Sequence, residues 1–128
     1  MSDPSTPTAE RRLSILVVED EALVLMSLVD MLGELGHDVL EAGNAAAAIS
    51  VLKADATVHL MLTDVNLPDM KGQVLAEQAR ALRPSLPVVF CTGYRMEVPE
   101  ELARGGPTAV LSKPYWLGEL EKALLLAG

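Results

Sequence analysis

Five short apolar runs, rich in β-branched residues, recur along the chain: SILVV (14–18), DVLEA (38–42), VHLMLT (58–63), PVVFC (87–91) and TAVLS (108–112). Runs this short and continuous suit strands that are covered on both faces. Between them the apolar residues change to helical spacing. From Ala22 onward Leu25, Leu28, Val29, Leu32 and Leu35 form one stripe, and Gly36 supplies a stop. Asn44 opens a second helix with Ala45, Ala48, Ile49 and Leu52 on one face. A third is predicted over Gly72 to Leu82, with Leu75, Ala79 and Leu82 inward and closure before Pro84; a last one carries Leu117, Leu120 and Leu124. Strands that alternate with helices at this spacing predict an α/β fold, a doubly wound five-stranded parallel sheet with five helices, because right-handed crossovers leave no simpler arrangement.

One segment breaks the regularity. TGYRMEVPEELARGGP (92–107) carries two prolines and three glycines, leaving room for about two helical turns near Glu100 to Arg104. The fourth helix is therefore expected to be short or mobile. At the other end, residues 1–12 are rich in Ser, Thr and Pro without periodicity and read as a disordered lead-in, so the folded domain is expected over residues 13–128.

Composition narrows the function. Half of the 128 residues are apolar, enough for one core and one site. A net charge of −8 repels phosphate backbones and anionic lipid surfaces, so neither nucleic acid nor membrane is expected as a partner. No run approaches the roughly 20 apolar residues of a membrane span, and MSDPSTPTAERR does not resemble a secretory leader; a cytoplasmic location is the expectation. The lone Cys91, inside VVFC, is a packing residue in this reading.

In doubly wound sheets the ligand crevice lies beyond the carboxyl ends of the strands. The polar residues of interest are at those ends. Glu19 and Asp20 follow the first strand, Asp64 ends the third, Thr92 follows the fourth, and Ser112 and Lys113 end the fifth. Two carboxylates about 4 Å apart repel by roughly 4 kcal/mol at an effective dielectric of about 20, so the cluster must raise a pKa or recruit a cation. Oxygen-only ligands suit a hard ion such as Mg²⁺. His37 and His59 lie away from this rim and are read as surface or packing residues.

Glu19-Asp20 after the first strand, Asp64 after the third, Thr92 after the fourth and Lys113-Pro114 after the fifth resemble the receiver domain of two-component response regulators, from about Leu13 to Leu126. The resemblance implies a flavodoxin-like fold and a phosphoacceptor function. Asp64 would take a phosphoryl group from a histidine kinase or histidine phosphotransfer protein. Mg²⁺ would be held by Asp20, Asp64 and the backbone carbonyl of Asn66, with Glu19 acting through a water. Lys113 would be the positioning cation, Thr92 the switch hydroxyl, and the Lys113–Pro114 peptide would be cis. The domain would assist its own phosphorylation and dephosphorylation without being an enzyme on an external substrate.

The chain departs from the family pattern at Val110, where receivers usually carry an aromatic residue three positions before the lysine. Valine cannot swing a ring between buried and exposed states. Tyr94, Tyr115 or Trp116 are candidates to report the switch instead, and FCTGY (90–94) resembles a variant Phe-x-Thr-Gly loop. Asn66 and Tyr94 are expected to flank the phosphoryl site from opposite sides, where they could tune the lifetime of the modification.

The chain ends at Gly128, so a stand-alone receiver is expected whose output is contact with an unknown downstream protein or, as a phosphorylation-dependent homodimer, a second copy. The rival from another class is a phosphorylation-independent binding module on the same fold. An aspartyl phosphatase would need a second carboxylate where Asn66 stands. A glycosidase would need an aromatic-lined cleft, and the chain has only Phe90, Tyr94, Tyr115 and Trp116.

Overall fold

The computed structural model describes residues 11–54 and 57–127. Strands β1 (Ser14–Val18), β2 (Asp38–Ala42), β3 (Leu60–Asp64), β4 (Val88–Thr92) and β5 (Thr108–Ser112) alternate with helices α1 (Ala22–Glu34), α2 (Ala45–Lys53), α3 (Gly72–Leu82), α4 (Glu100–Gly105) and α5 (Leu117–Leu124). Every pairing is parallel and the strand order is β2-β1-β3-β4-β5. From β1 the chain steps outward to β2, and from β3 it builds the other way. The direction of winding therefore reverses between β1 and β3, which opens a crevice at their carboxyl ends.

Side chains alternate across the pleat and divide the interior in two. Ile15, Val17, Leu62, Val89 and Cys91 pack with Leu28 and Leu32 of α1 and Leu120 and Leu124 of α5. Leu16, Val18, Met61, Val88 and Phe90 pack with Ala48 and Leu52 of α2, Leu75 and Ala79 of α3 and Leu102 of α4. The three central strands β1, β3 and β4 are dry on both faces and read as nearly unbroken apolar runs, whereas the edge strands β2 and β5 are only partly covered.

Two strands are shifted from their predicted limits. Nδ1 of His59 accepts the Ser14 amide at 2.8 Å, so that amide has a side-chain partner and the β1–β3 ladder begins with Ile15 opposite Leu60. At β4, Pro87 has no N–H to give, while the Thr92 carbonyl accepts from Lys113 N at 2.7 Å and keeps Thr92 in the strand. The first helix ends as expected at Gly36, whose φ of 88° is the left-handed conformation that glycine adopts freely. His37 has the same role as His59, with Nδ1 accepting the Leu13 amide at 3.1 Å. Both histidines thus cap the amino end of β1. Of the expected lead-in, residues 1–10 lie outside the described residues. Its last two are fastened to the domain: Arg12 donates twice to Asp38, at 2.7 and 3.0 Å, and Arg11 donates to the Ala127 carbonyl at 3.4 Å.

The fourth helix is short, as the prolines and glycines require. It has six residues, fewer than two turns, and of these Leu102 is buried. What holds so short a helix is Arg80. The predicted inward face of α3 has to be corrected here: Leu82 is 39% exposed, while Ala76 and Arg80 are turned inward. The Arg80 guanidinium donates to the carbonyls of Leu86 (3.0 Å), Leu102 (2.5 Å) and Pro107 (2.7 Å) and to Thr108 Oγ1 (2.9 Å). Four neutral oxygens from the approach to β4, from α4 and from the start of β5 therefore converge on one buried cation, and among the described residues no carboxylate pairs with it. Burial lowers its pKa. Its fork of donors gathers carbonyls where three elements meet: that of Leu86, that of Leu102, which also accepts from Thr108 Oγ1 at 3.2 Å, and that of Pro107, which also accepts from Val88 N at 3.0 Å.

Replacing Arg80 by Met keeps much of the packing volume and removes every donor. Urea denaturation is expected to show a loss of about 3 kcal/mol, and thermal melting a fall of roughly 10 °C. A variant within 1 °C of wild type would show that these carbonyls do not need the guanidinium.

Candidate functional site

The carboxyl ends of β1, β3, β4 and β5 deliver the predicted residues to one rim. Pairing of β1 with β2 continues one step past the strand, as Glu19 N donates to the Ala42 carbonyl at 3.0 Å; this carries Glu19 into the interior at 2% exposure. Its Oε2 accepts the Glu21 amide at 3.1 Å. Glu19, Asp20 and Asp64 each offer a carboxylate oxygen, and the three lie within 4.8 Å of one another. Lys113 Nζ stands 3.6 Å from Glu19 Oε1 and 3.8 Å from Asp64 Oδ1. The expected cis peptide at Lys113–Pro114 is present.

Three carboxylates thus face one ammonium. Burial raises the pKa of Glu19, and Asp64 and Asp20 raise it further, against the opposing pull of the Glu21 amide and Lys113. The donors are all oxygen, with an excess of negative charge that Lys113 does not cancel. Such a set fits a hard divalent cation. His37 and His59 are at the opposite end of β1, so neither contributes a ligand.

Backbone contacts hold the loop after β3. Val65 N donates to Asp64 Oδ1 at 2.8 Å, and Gly72 N donates to the Val65 carbonyl at 2.7 Å. A Cβ at Gly72 would meet the Asp64 carbonyl oxygen at 2.5 Å. Glycine is thus what allows the start of α3 to lie against the acceptor strand. Asp69 anchors the other side of the loop: its two oxygens accept the Ala45 and Ala46 amides, each at 2.9 Å, at the amino end of α2, while Asn44 Oδ1 accepts Ala47 N at 2.8 Å. These amide bonds lower the Asp69 pKa. Sequence reasoning found Asn44 as a cap and missed Asp69, which reaches α2 from a different segment.

The switch region needs one correction. Asn66 and Tyr94 do not stand on opposite sides: Asn66 Nδ2 donates to the Tyr94 hydroxyl at 2.6 Å, so they meet and bridge the two loops. Thr92 is buried and its Oγ1 accepts the Tyr94 amide at 3.2 Å. Val110 is half-buried and packs against the core cluster that includes Leu102 of α4. Tyr115 is half-buried and hydrogen-bonds with Cys91; burial drives the Tyr115 pKa up and pushes the Cys91 thiol up to about 12, so Cys91 is an inert packing group. Tyr115 is thereby directed toward the core, whereas Trp116 is 78% exposed.

A five-stranded parallel sheet wound in this order brings an acidic cluster and a lysine together at its switch point. The chain matches the family described as response regulator receiver domain over residues 15–125. It is 33% identical over 118 residues to the response regulator receiver protein CpdR of Brucella abortus (strain 2308), covering 88% of this chain and 98% of that protein. It is 35% identical over 113 residues to the sensor histidine kinase RcsC of Salmonella typhi, where it covers 88% of this chain but spans only 12% of that protein. The solved response regulator receiver protein from Sinorhizobium medicae WSM419 superposes with a TM-score of 0.77 at 28% identity, covering 91% of this chain and 95% of that one. The chain belongs to the response regulator receiver family.

The charge on Glu19 makes a signed prediction. Its folded pKa is raised from the ordinary 4.5, so the stability it contributes is complete below pH 4.5 and is lost as pH rises through the raised value. Without metal, Glu19→Gln is expected to melt above wild type at pH 7, with the difference vanishing below pH 4.5. Added Mg²⁺ should then raise the wild-type melting temperature more than that of the variant. A variant less stable than wild type at pH 7 in chelator would contradict the cluster's electrostatics.

Proposed function

We propose that the domain accepts a phosphoryl group on Asp64 from a protein phosphohistidine and signals by a changed contact surface. The observation that carries this is the convergence of Glu19, Asp20 and Asp64 on Lys113 at the crevice between β1 and β3. An Asp64 carboxylate oxygen forms the new O–P bond while the donor's N–P bond breaks, and its electron pair returns to the imidazole. Lys113 balances charge on Asp64 before transfer and on the phosphoryl oxygens afterwards. Glu19, Asp20, Asp64 and the Asn66 carbonyl would hold Mg²⁺, which supplies neutralising charge to the transferring group. Thr92, buried at the end of β4, is placed to exchange the Tyr94 amide for a phosphoryl oxygen. The domain turns over no external substrate and assists only its own modification and hydrolysis.

The donor's docking surface in this reading is the apolar rim around the crevice. α1 and α5 cover the same sheet face, and near their amino ends Leu23 is 81% exposed, Met26 61%, Trp116 78% and Leu117 38%. Among the described residues no helix is long and apolar enough to cross a membrane. A cytoplasmic site of action, shared with histidine kinase output, is part of the proposal. Half-buried Val110 in place of a movable ring favours one rival, a binding module whose partner affinity ignores phosphorylation.

Incubation with Mg²⁺ and acetyl phosphate, or with a phosphorylated histidine kinase, is expected to label the wild-type chain and to leave Asp64→Ala unlabelled. Lys113→Ala should label at least about tenfold more slowly, on the scale of one lost charge-assisted contact. Label retained in Asp64→Ala would overturn the assignment, and partner binding that is equal for labelled, unlabelled and Asp64→Ala protein would select the rival.

A further inference from the structure

The side-chain amide of Asn66, two residues beyond Asp64, is held at both ends. Lys71 Nζ donates to its Oδ1 at 3.0 Å, and its Nδ2 donates to the Tyr94 hydroxyl at 2.6 Å. The Tyr94 amide in turn donates to Thr92 Oγ1 at 3.2 Å. A continuous polar chain therefore runs from the residue that opens α3 to the hydroxyl at the end of β4, along one side of the Asp64 crevice.

The direction of this chain is set by Lys71. An ammonium has donors and no acceptor, so the amide oxygen must face Lys71 and the NH₂ must face Tyr94. Without that donor the amide is free to turn over, and the phenol loses its fixed partner. Lys71 is itself held by backbone: Asn66 and Lys71 form an antiparallel bridge, and the adjoining Gly72 amide bonds the Val65 carbonyl at 2.7 Å. Beside the chain lies an open cleft of about 560 Å³, whose lining includes Lys71, Tyr94, Arg95 and Glu97. Tyr94 is 54% exposed, and the bond from Asn66 fixes its hydroxyl.

The geometry points to Lys71 as a positioning residue that sets the lifetime of the phosphorylated state, by orienting Asn66 and through it pinning Tyr94 across the side of the crevice from which water reaches Asp64. This rests on the phosphoacceptor reading above. Lys71 does not act as a charge on the phosphoryl group; it acts through the two side chains between.

The test follows loss of label from phosphorylated protein in Mg²⁺ after removal of the donor. Lys71→Met is expected to shorten the lifetime about threefold to tenfold, the size of one oriented hydrogen bond, while Lys71→Arg, which keeps a donor, stays within about twofold of wild type. In a Tyr94→Phe background the further change from Lys71→Met should fall below about twofold, because the pathway is already cut. A readout that needs no phosphorylation is the Asn66 side-chain amide in NMR, whose protons should exchange slowly in wild type and Lys71→Arg and rapidly in Lys71→Met. An unchanged lifetime in Lys71→Met overturns the proposal, and so does an effect that persists in full beside Tyr94→Phe, which would make Lys71 a simple charge. A wild-type chain that never takes label overturns the phosphoacceptor reading and this proposal with it. A wild-type chain that labels normally, with Lys71→Met indistinguishable from it, defeats this proposal alone.

Discussion

Repulsion among Glu19, Asp20 and Asp64, only partly offset by Lys113, is the constraint around which the molecule is arranged. Like charges held this close need a scaffold that resists their separation, because solvated loops would let them drift apart. Here each charge is carried by the end of a strand or by one of the two residues just past it. β1 and β3 are adjacent, parallel and dry on both faces, so Glu19 and Asp64 cannot move apart without breaking the core. The resulting electrostatic strain is what a divalent cation relieves, and it is concentrated on the most buried of the three, Glu19.

The two ends of the sheet are fastened differently. At the amino end, His37 and His59 cap β1, and Arg80 ties the carbonyls of Leu86, Leu102 and Pro107 into one cluster. At the carboxyl end the fastenings are polar and lie on the surface: Asp69 on the start of α2, and Lys71, Asn66 and Tyr94 across the crevice. Carbonyls buried around a cation are shielded from water, whereas side-chain bonds at the surface meet its competition as soon as one partner is lost. The fold is thus firm where α4 ends and adjustable where the loop from Gly93 to Pro99 meets the site. A domain that must change its surface without unfolding benefits from this division.

Much of this was legible in the residue order. Strand runs such as SILVV and TAVLS were found at their observed limits because residues that break the pattern bound them: Glu19-Asp20 follow the first, and Gly106-Pro107 and Lys113-Pro114 enclose the second. Asp64, Glu19, Asp20, Thr92 and Lys113 stood out because each interrupts or follows an apolar run. Arg80 left no such signal: within ARALR it reads as one more charge on a helix, and only the approach of three other segments turns it into a clamp. Asp69 and the meeting of Asn66 with Tyr94 were hidden for the same reason, since each joins residues from different parts of the chain, while the reach of Lys71 to Asn66 depends on how their shared loop folds back.

By itself, then, the sequence determined which segments are strands and helices, that the sheet is parallel and doubly wound, and which polar residues gather at its carboxyl edge. Those properties follow from periodicity and crossover handedness, which are local or topological. Tertiary structure alone decided that Tyr115 turns toward Cys91 while Trp116 faces solvent, that Leu82 yields the inward face of α3 to Arg80, and that Tyr94 rests on Asn66. Such choices depend on which carbonyl, hydroxyl or cavity another element brings within about 3 Å, and hydrogen bonds lose their strength beyond that range.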